Sequence, residues 1–395
     1  MALFLIGYTI IALVLFLVVF IIGVSRGWFF KGNAKIKAIF ANPLLLYSLR
    51  RIGSAFISVM LAITCTYLLI RAQSTDSICK AAIANWIKMP EDVFALRCTT
   101  IKEELGLTGS AIGQVFTYFY RILPFPKTLC STETNALTDA LGNITYTVTA
   151  RNCRNFIMDL GKIYFINGFK NAYVIDVIFV NKMPHSFRIG IIAVIVELAI
   201  GYPAGVMMAK RKDGIFDKIG KAYIITIDAI PGIAYYYIWM TIFMLIGLPI
   251  TYADGEFLTY LAPALTMGFT GMAGIALWVR RFMLDEFNSD YVKFARAKGL
   301  SENRIMFTHV LRNALVPLVR SIPSSILYAL LGSFYIEKIY SIPGLGGLLV
   351  TANSANDFYA LQGIVVVSAL ISIVSYLLGD IVTAMVDPRV SLSGK

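Results

Sequence analysis

An all-α integral membrane protein is what this sequence of 395 residues predicts, and three observations carry the prediction. Apolar residues make up 58% of the chain and its mean hydropathy is +0.73, which is membrane composition rather than a large soluble core. Apolar runs long enough to cross a bilayer recur along the chain, seven in all. Between them, the short basic segments all fall on one side, as cytoplasmic loops do.

The first run, Leu3 to Val24, is uncharged and is followed by Arg26, Lys31, Lys35 and Lys37. Lacking a basic start, it reads as an uncleaved span with its N-terminus outside. Ile52 to Ile70 enters from Arg50-Arg51 and leaves outward. The polar stretch from about Arg71 to Pro184 is too long for a simple connection and is expected outside the cell. Within it Pro90, Glu91 and Asp92 open a helix that Gly106 closes. Asn143-Ile144-Thr145 is a short, weak glycosylation pattern.

Phe187 to Ala209 returns inward to the turn Lys210-Arg211-Lys212-Asp213-Gly214. Ile219 to Leu248 goes out as one span, kinked at Pro231-Gly232 because proline removes a backbone donor. Tyr260 to Phe282 comes back to Arg280-Arg281, with Gly268, Gly271 and Gly274 inviting close helix contact. Val310 to Ile336 goes outward, an external segment carries Pro343-Gly344-Leu345-Gly346-Gly347, and Tyr359 to Val386 ends the chain inside at Asp387-Pro388-Arg389.

The longest polar interruption of the C-terminal half, Asp285 to Pro317, is basic through Lys293, Arg296, Lys298 and Arg304. Phe294 and Ala297 recur at helical spacing, Gly299 stops that helix, and Ser301 with Glu302 starts another. The expected product is helix, glycine turn, helix, a knob that can dock a soluble partner. Small Ala295 and Ala297 would let that partner approach, while Arg296 and Lys298 offer charge.

A formal charge of +12 could suggest nucleic acid, but many of the charges sit in loops beside spans. No Gly-rich loop ending in Lys-Ser or Lys-Thr is present, and two histidines, His185 and His309, do not make a metal site. Cys79, Cys98, Cys130 and Cys153 share the external stretch. Bracketing of short segments favours Cys79–Cys98 and Cys130–Cys153, with free thiols as the alternative.

Glu197, Asp228, Arg320 and Asp380 fall inside expected spans and must face protein or water. They serve either as structural ion pairs, Arg320 with Glu197 or Asp228, or as a pathway lining that meets charged ends of a peptide. An intramembrane protease using Asp228 and Asp380 would need Gly-x-Gly-Asp where the chain has Leu377-Leu378-Gly379-Asp380. A Ser–His hydrolase finds no partner for either histidine, and a secondary carrier would need a clear internal repeat.

Tyr291-Val292-Lys293-Phe294-Ala295-Arg296-Ala297-Lys298-Gly299-Leu300, followed by His309, Leu311, Asn313, Leu315 and Pro317, resembles the signature loop of ABC importer permeases. More narrowly it resembles the oligopeptide/dipeptide/nickel permease group. Glu337 to Gly346, and Asp380 with Asp387-Pro388-Arg389, resemble that group's external hairpin and C-terminal end. The chain departs from the pattern at Lys293, where glutamate is common, and at Phe294, where a small residue is usual.

The resemblance implies a permease fold of six core spans plus one extra N-terminal span, with a lobed external region after the second span. It divides the chain into an added span and linker (1–46), a first core span (47–71), an external region (72–184) with an insertion at 127–158, and a permease core (185–395) with a coupling helix at 288–308. Tyr291, Lys293, Ala295, Arg296, Ala297, Lys298, Gly299, Leu300, Ser301 and His309 would form the ATPase-coupling surface. The implied partners are a homologous second permease, one or two cytoplasmic ATPases holding ATP and Mg, an external substrate-binding protein, the peptide cargo and the lipid membrane. No nucleic acid, catalytic residue or cofactor is implied for this chain. A nickel or other small-solute importer shares the same loop and is the second reading.

Overall fold

The structure, a computed structural model, describes residues 90–104, 109–123, 125–138 and 144–386, with single positions between 53 and 87. The expected first span, most of the second, Gly106, Asn143, the Asp387-Pro388-Arg389 end, and the side chains of Cys130 and Asp380 lie outside the described residues. The described residues fall into two compact units, one within 60–175 and 355–363, the other chiefly within 176–354 and 364–386.

In the first unit, α1 (Glu91–Glu104) begins where Phe94 N donates to Pro90 O at 2.9 Å. Cys98 on α1 is disulfide-bonded to Cys79, with Cα atoms 5.2 Å apart, and both are buried beside Ile83 and Phe94. Helix α2 (Ala111–Ile122) is capped by Ser110, whose Oγ accepts from Gly113 N at 3.2 Å. Its far end is closed by Lys127, whose ammonium donates to the carbonyls of Arg121 (2.8 Å), Leu123 (2.9 Å) and Tyr120.

The expected insertion is a β-hairpin, which corrects the all-α expectation at this one place. Strands β1 (Lys127–Thr138) and β2 (Ile144–Phe156) pair antiparallel with a bulge between Glu133 and Thr134. The physical reason is composition: Thr128, Thr132, Thr134, Thr145, Tyr146, Thr147 and Val148 are β-branched or aromatic residues that fit a pleated surface. Cys130 stands opposite Cys153 in the register, and Cys153 is disulfide-bonded.

Asp357 is fully buried and holds this unit together through backbone groups. Its Oδ2 accepts from Tyr164 N and Phe165 N, both at 2.8 Å, and its Oδ1 from Ala360 N at 3.2 Å. Burial pushes its carboxyl above the usual range, and those N–H donors pull the other way.

The second unit begins with a π-helical turn, Val177–Lys182, that runs into the long helix α3 (Met183–Lys210). Then come α4 (Ile215–Ala229), α5 (Gly232–Leu245), α6 (Phe257–Phe287) and α7 (Asp290–Ala297). Short helical pieces over 302–319 lead to α8 (Ser321–Tyr328), α9 (Phe334–Ile339), α10 (Leu345–Ser354) and α11 (Phe358–Val386).

Helices α3 and α6 touch backbone to backbone. A Cβ on Gly205 would lie 2.6 Å from Val279 Cβ and 2.7 Å from Ala276 O; one on Gly268 would lie 2.7 Å from Val196 Cγ1. Gly201 meets Ile275 in the same way. Higher numbers on α3 meet higher numbers on α6, so the two helices run in the same direction. The chain between them must therefore return across the same thickness.

That return is made by α4 and α5, which meet at 117°. The expected kinked span of 219–248 is thus two helices separated by a break. Ile230 is extended, with φ −85° and ψ 132°, because the residue before a proline is pushed out of the helical region. The expected continuous span over 310–336 is likewise a succession of short helices with turns at 329–331. It nevertheless runs the length of α3. Phe307 and Leu311 line a cavity with Val206 and Met207 near one end of α3, and Ala329 packs on Gly190 near the other.

Among the described residues three helices are long and apolar enough to cross a membrane, or four with the bent pair counted as one. They correspond to the expected runs 187–209, 260–282, 359–386 and 219–248.

The α3–α6 contact generates a paired expectation. Gly205→Val should destabilise the purified protein in detergent by about 1–3 kcal/mol through overpacking. Gly274→Ala, on α6 and with nothing within 4 Å of a new Cβ, should be stabilising by about 0.5–1 kcal/mol. Thermal unfolding midpoints moving in opposite directions would establish the contact; equal shifts would contradict it.

Candidate functional site

The Asp285–Pro317 stretch folds into the expected knob. Helix α7 follows the end of α6 directly, and one apolar cluster joins them: Val279 and Met283 of α6, Val292 and Ala295 of α7, and Ile305, Met306 and Val310 beyond. Val292 and Ala295 are the inward face, whereas Phe294 is 62% exposed and Ala297 is exposed too. The expected apolar pair, Phe294 and Ala297, is therefore on the wrong face, because Val279 and Met283 of α6 share their apolar cluster with positions 292 and 295. Ala295 is consequently committed to this chain's own core and is not free to receive a partner.

The exposed face carries Lys293, Phe294, Arg296, Ala297 and Lys298. Lys298 lies over the Phe294 ring, 4.6 Å from its centroid. Lys293 pairs with Asp290 at 2.9 Å. Arg296 holds Glu302 with a two-pronged contact of 2.7 and 3.2 Å, which keeps the Glu302 carboxyl below its ordinary range. Tyr291 donates to Glu286 at 2.5 Å and so ties α7 to the last turn of α6.

Gly299 has φ +78°, the left-handed value that lets its N–H donate to Arg296 O at 2.9 Å while Leu300 N reaches Ala295 O at 3.3 Å. Ser301 stands at the start of the next helix but its side chain makes no capping hydrogen bond. Instead its carbonyl accepts from Ile305 N at 2.9 Å. One helical turn, Glu302–Arg304, then widens into a π turn, Ile305–Val310, that carries half-buried His309.

Among the described side chains, Glu197, Asp228 and Arg320 do not converge. Neither Glu197 nor Asp228 pairs with Arg320, which corrects that expectation. Glu197 packs against Gly271 of α6, and Asp228 is exposed at the last turn of α4. Arg320 lies over α11 instead: a Cβ on Gly379 would sit 2.8 Å from the Arg320 carbonyl oxygen, one residue before Asp380.

Two buried acidic groups of the second unit escaped the sequence reading. Asp217 is fully buried at the start of α4 and receives Arg280 of α6 through Nε at 2.6 Å and Nη2 at 2.9 Å. Glu337 of α9 is 3% exposed. Its Oε1 accepts from Ser186 Oγ at 2.7 Å and its Oε2 from Gly347 N at 2.7 Å, while Ser186 Oγ accepts from Leu345 N at 2.8 Å. A Cβ on Gly344 would meet the carboxylate, so that glycine is needed for close approach. The glycines at 344, 346 and 347, so soon after a glutamate, were the signal available in the sequence.

Close-packed membrane-length helices, with a charged short helix beyond the end of one of them, define a multi-pass membrane protein. Residues 201–392 match the family of binding-protein-dependent transport system inner membrane components, and the chain belongs to that family. It is 35% identical over 228 residues to the dipeptide transport system permease protein DppB of Lactococcus lactis subsp. cremoris, covering 57% of this chain and 74% of that protein. It is 37% identical over 209 residues to the oligopeptide transport system permease protein AmiC of Streptococcus pneumoniae, covering 52% of this chain and 42% of AmiC. The chain thus spans less than half the length of that relative. Among solved structures, a chain of the inward-facing MetNI methionine ABC transporter is similar at a TM-score of 0.44 and 17% identity, covering 53% of this chain and 96% of that one.

Glu337 makes stability pH-dependent. Burial pushes its carboxyl up from 4.5 to about 7, against the pull of the Ser186 hydroxyl, the glycine N–H groups and the Lys182 charge. The folded state therefore holds this proton more tightly than the unfolded chain does. The resulting stability is fully present below the ordinary carboxylate range and is lost as pH rises through about 7, a change of roughly 3 kcal/mol. Unfolding of the purified protein in detergent should show this loss between about pH 5 and pH 8. Glu337→Gln should flatten it, and an unchanged slope in that variant would assign the effect elsewhere.

Proposed function

We propose that this chain is a permease subunit of an ATP-driven ABC importer and that its cargo is an oligopeptide. The observation that carries the reading is α7: one face is sealed onto α6 through Val292 and Ala295, and the other presents charge and an exposed aromatic ring. Such a helix moves with α6 when something pushes on it. The names of the relatives, oligopeptide and dipeptide permeases, supply the cargo class.

In this reading α7 seats in a cleft of a cytoplasmic ATPase, through Lys293, Phe294, Ala297 and Lys298 rather than through Ala295. Partner ATPases hold ATP and Mg, and their closure drives the spans as bodies between inward-open and outward-open states. This chain does no covalent chemistry. A homologous second permease completes the pathway, and an external binding protein delivers peptide. Half-buried Tyr291, Leu300 and His309 support the knob from inside, exposed Ser301 starts the next helix, and Gly299 sets the knob's angle. Glu197 and Asp228 are the candidates for meeting the charged ends of the cargo. The N-terminus lies outside and the C-terminus in the cytoplasm, with the Cys79–Cys98 region external.

Gly299→Val tests the reading. The left-handed φ costs a β-branched residue about 1–3 kcal/mol, and no neighbour would clash, so only the turn is disturbed. Membrane abundance should stay normal, co-purification of the ATPase should weaken, and uptake of labelled oligopeptide should fall at least tenfold, the rough effect of losing 1.4 kcal/mol of coupling. Gly299→Asn, which tolerates this region, should retain more uptake. Parental uptake by Gly299→Val with its ATPase still bound would overturn the proposal.

A further inference from the structure

The buried acid at the start of α4 has a use that the knob alone does not explain. Asp217 is fully buried and accepts four contacts: Arg280 Nε at 2.6 Å, Arg280 Nη2 at 2.9 Å, Asp213 N at 2.8 Å and Lys221 Nζ at 3.3 Å. Lys221 also reaches Asp213 at 3.0 Å, so the whole turn 211–214 is folded around this carboxylate. Arg280 belongs to α6, seven residues before its end, where α7 is attached. Asp217 belongs to α4, the first arm of the broken pair. One planar fork therefore joins the helix that carries the knob to the helix that leads into the 117° break.

The other contacts of α4 reinforce the direction of transfer. A Cβ on Gly220 would run into Met208 of α3, and Tyr223 donates to Phe269 O of α6 at 2.7 Å. Tyr223 also meets the Tyr235 hydroxyl at 3.0 Å, beyond the break on α5. An apolar contact slides under load, whereas a bidentate guanidinium–carboxylate pair fixes distance and angle together. Leaving either partner alone in the interior would be strongly unfavourable, so the pair cannot open and close cheaply during a cycle.

We propose that the Asp217–Arg280 fork is a strut that makes α4 move with α6 and α7, so that displacement of the knob reaches the break at Ile230-Pro231 and opens or closes the pathway there. Asp217 and Arg280 are thus positioning residues. The inference rests on the importer reading, and the experiment separates the two.

The complex of permeases and ATPases is reconstituted in vesicles, and uptake of a fluorescent oligopeptide is measured together with ATP hydrolysis. The double variant Asp217→Asn with Arg280→Gln removes both charges, leaving no lone buried ion. It should fold, retain its ATPase and hydrolyse ATP, yet import about tenfold less peptide per ATP, the effect of losing 1.4 kcal/mol of coupling. A purely structural role predicts an unchanged ratio, and that result would overturn the strut. Spin labels at Lys212 and at exposed Asp285 of α6, outside the docking surface, give a second readout that does not depend on the variant folding. Their separation should be the same in nucleotide-free and ATP-trapped complexes, and a change beyond about 5 Å, one helical pitch, would also overturn it. If the parent complex shows no ATP-dependent uptake at all, the importer reading fails and this inference falls with it.

Discussion

The second unit depends on one constraint, the contact of α3 with α6 without an intervening layer of side chains. Gly201 and Gly205 on one helix, and Gly268 and Gly271 on the other, let the backbones meet. In a bilayer, where lipid is as apolar as leucine, this close dispersion contact is what holds helices together. Because both helices run the same way, everything between and after them is forced into return journeys. The bent pair α4–α5 makes one, and the jointed stretch from Ile305 to Tyr328 makes the other. Neither return is a straight helix, and the unit's irregular backbone is concentrated there.

What the sequence reveals follows from the range of the forces involved. The runs at 187–209, 260–282 and 359–386 appear as single helices, since a long apolar run without breaks is a local signal. The break at Ile230 was half legible: Pro231 marks it, but a kink and a 117° corner have the same hydropathy. Gly299 was legible because a left-handed turn has few alternative residues. The inward face of α7 was not, since Phe294 looks more apolar than Ala295 and only α6 decides which of them is covered. Asp217 with Arg280, 63 residues apart, leaves no local trace. Ser186 with Glu337, 151 apart, leaves only the glycines that follow the glutamate.

The first unit uses charge differently. Lys127 and Asp357 face mainly backbone: Lys127 satisfies carbonyls at the end of α2, and Asp357 accepts from the loop N–H groups of Tyr164 and Phe165 and from Ala360 N at the start of α11. Buried ions in these places replace the water that orphan helix-end groups would otherwise need. A disulfide joins Cys98 of α1 to Cys79, and disulfides persist where thiols are not kept reduced.

The π turn at Ile305–Val310 has a consequence for how this chain tolerates insertion and deletion. A π turn holds one residue more than an α turn, like a loop of slack in a wound rope. Removing one residue elsewhere in a helix rotates everything beyond it by about 100° and turns its buried face outward. Removing one residue within 305–310 would instead tighten the turn to ordinary α geometry and leave Leu311 to Val319 facing as they do now. The slack sits directly after the knob, so this is the one place along the return stretch where the chain can change length without changing which side chains it buries.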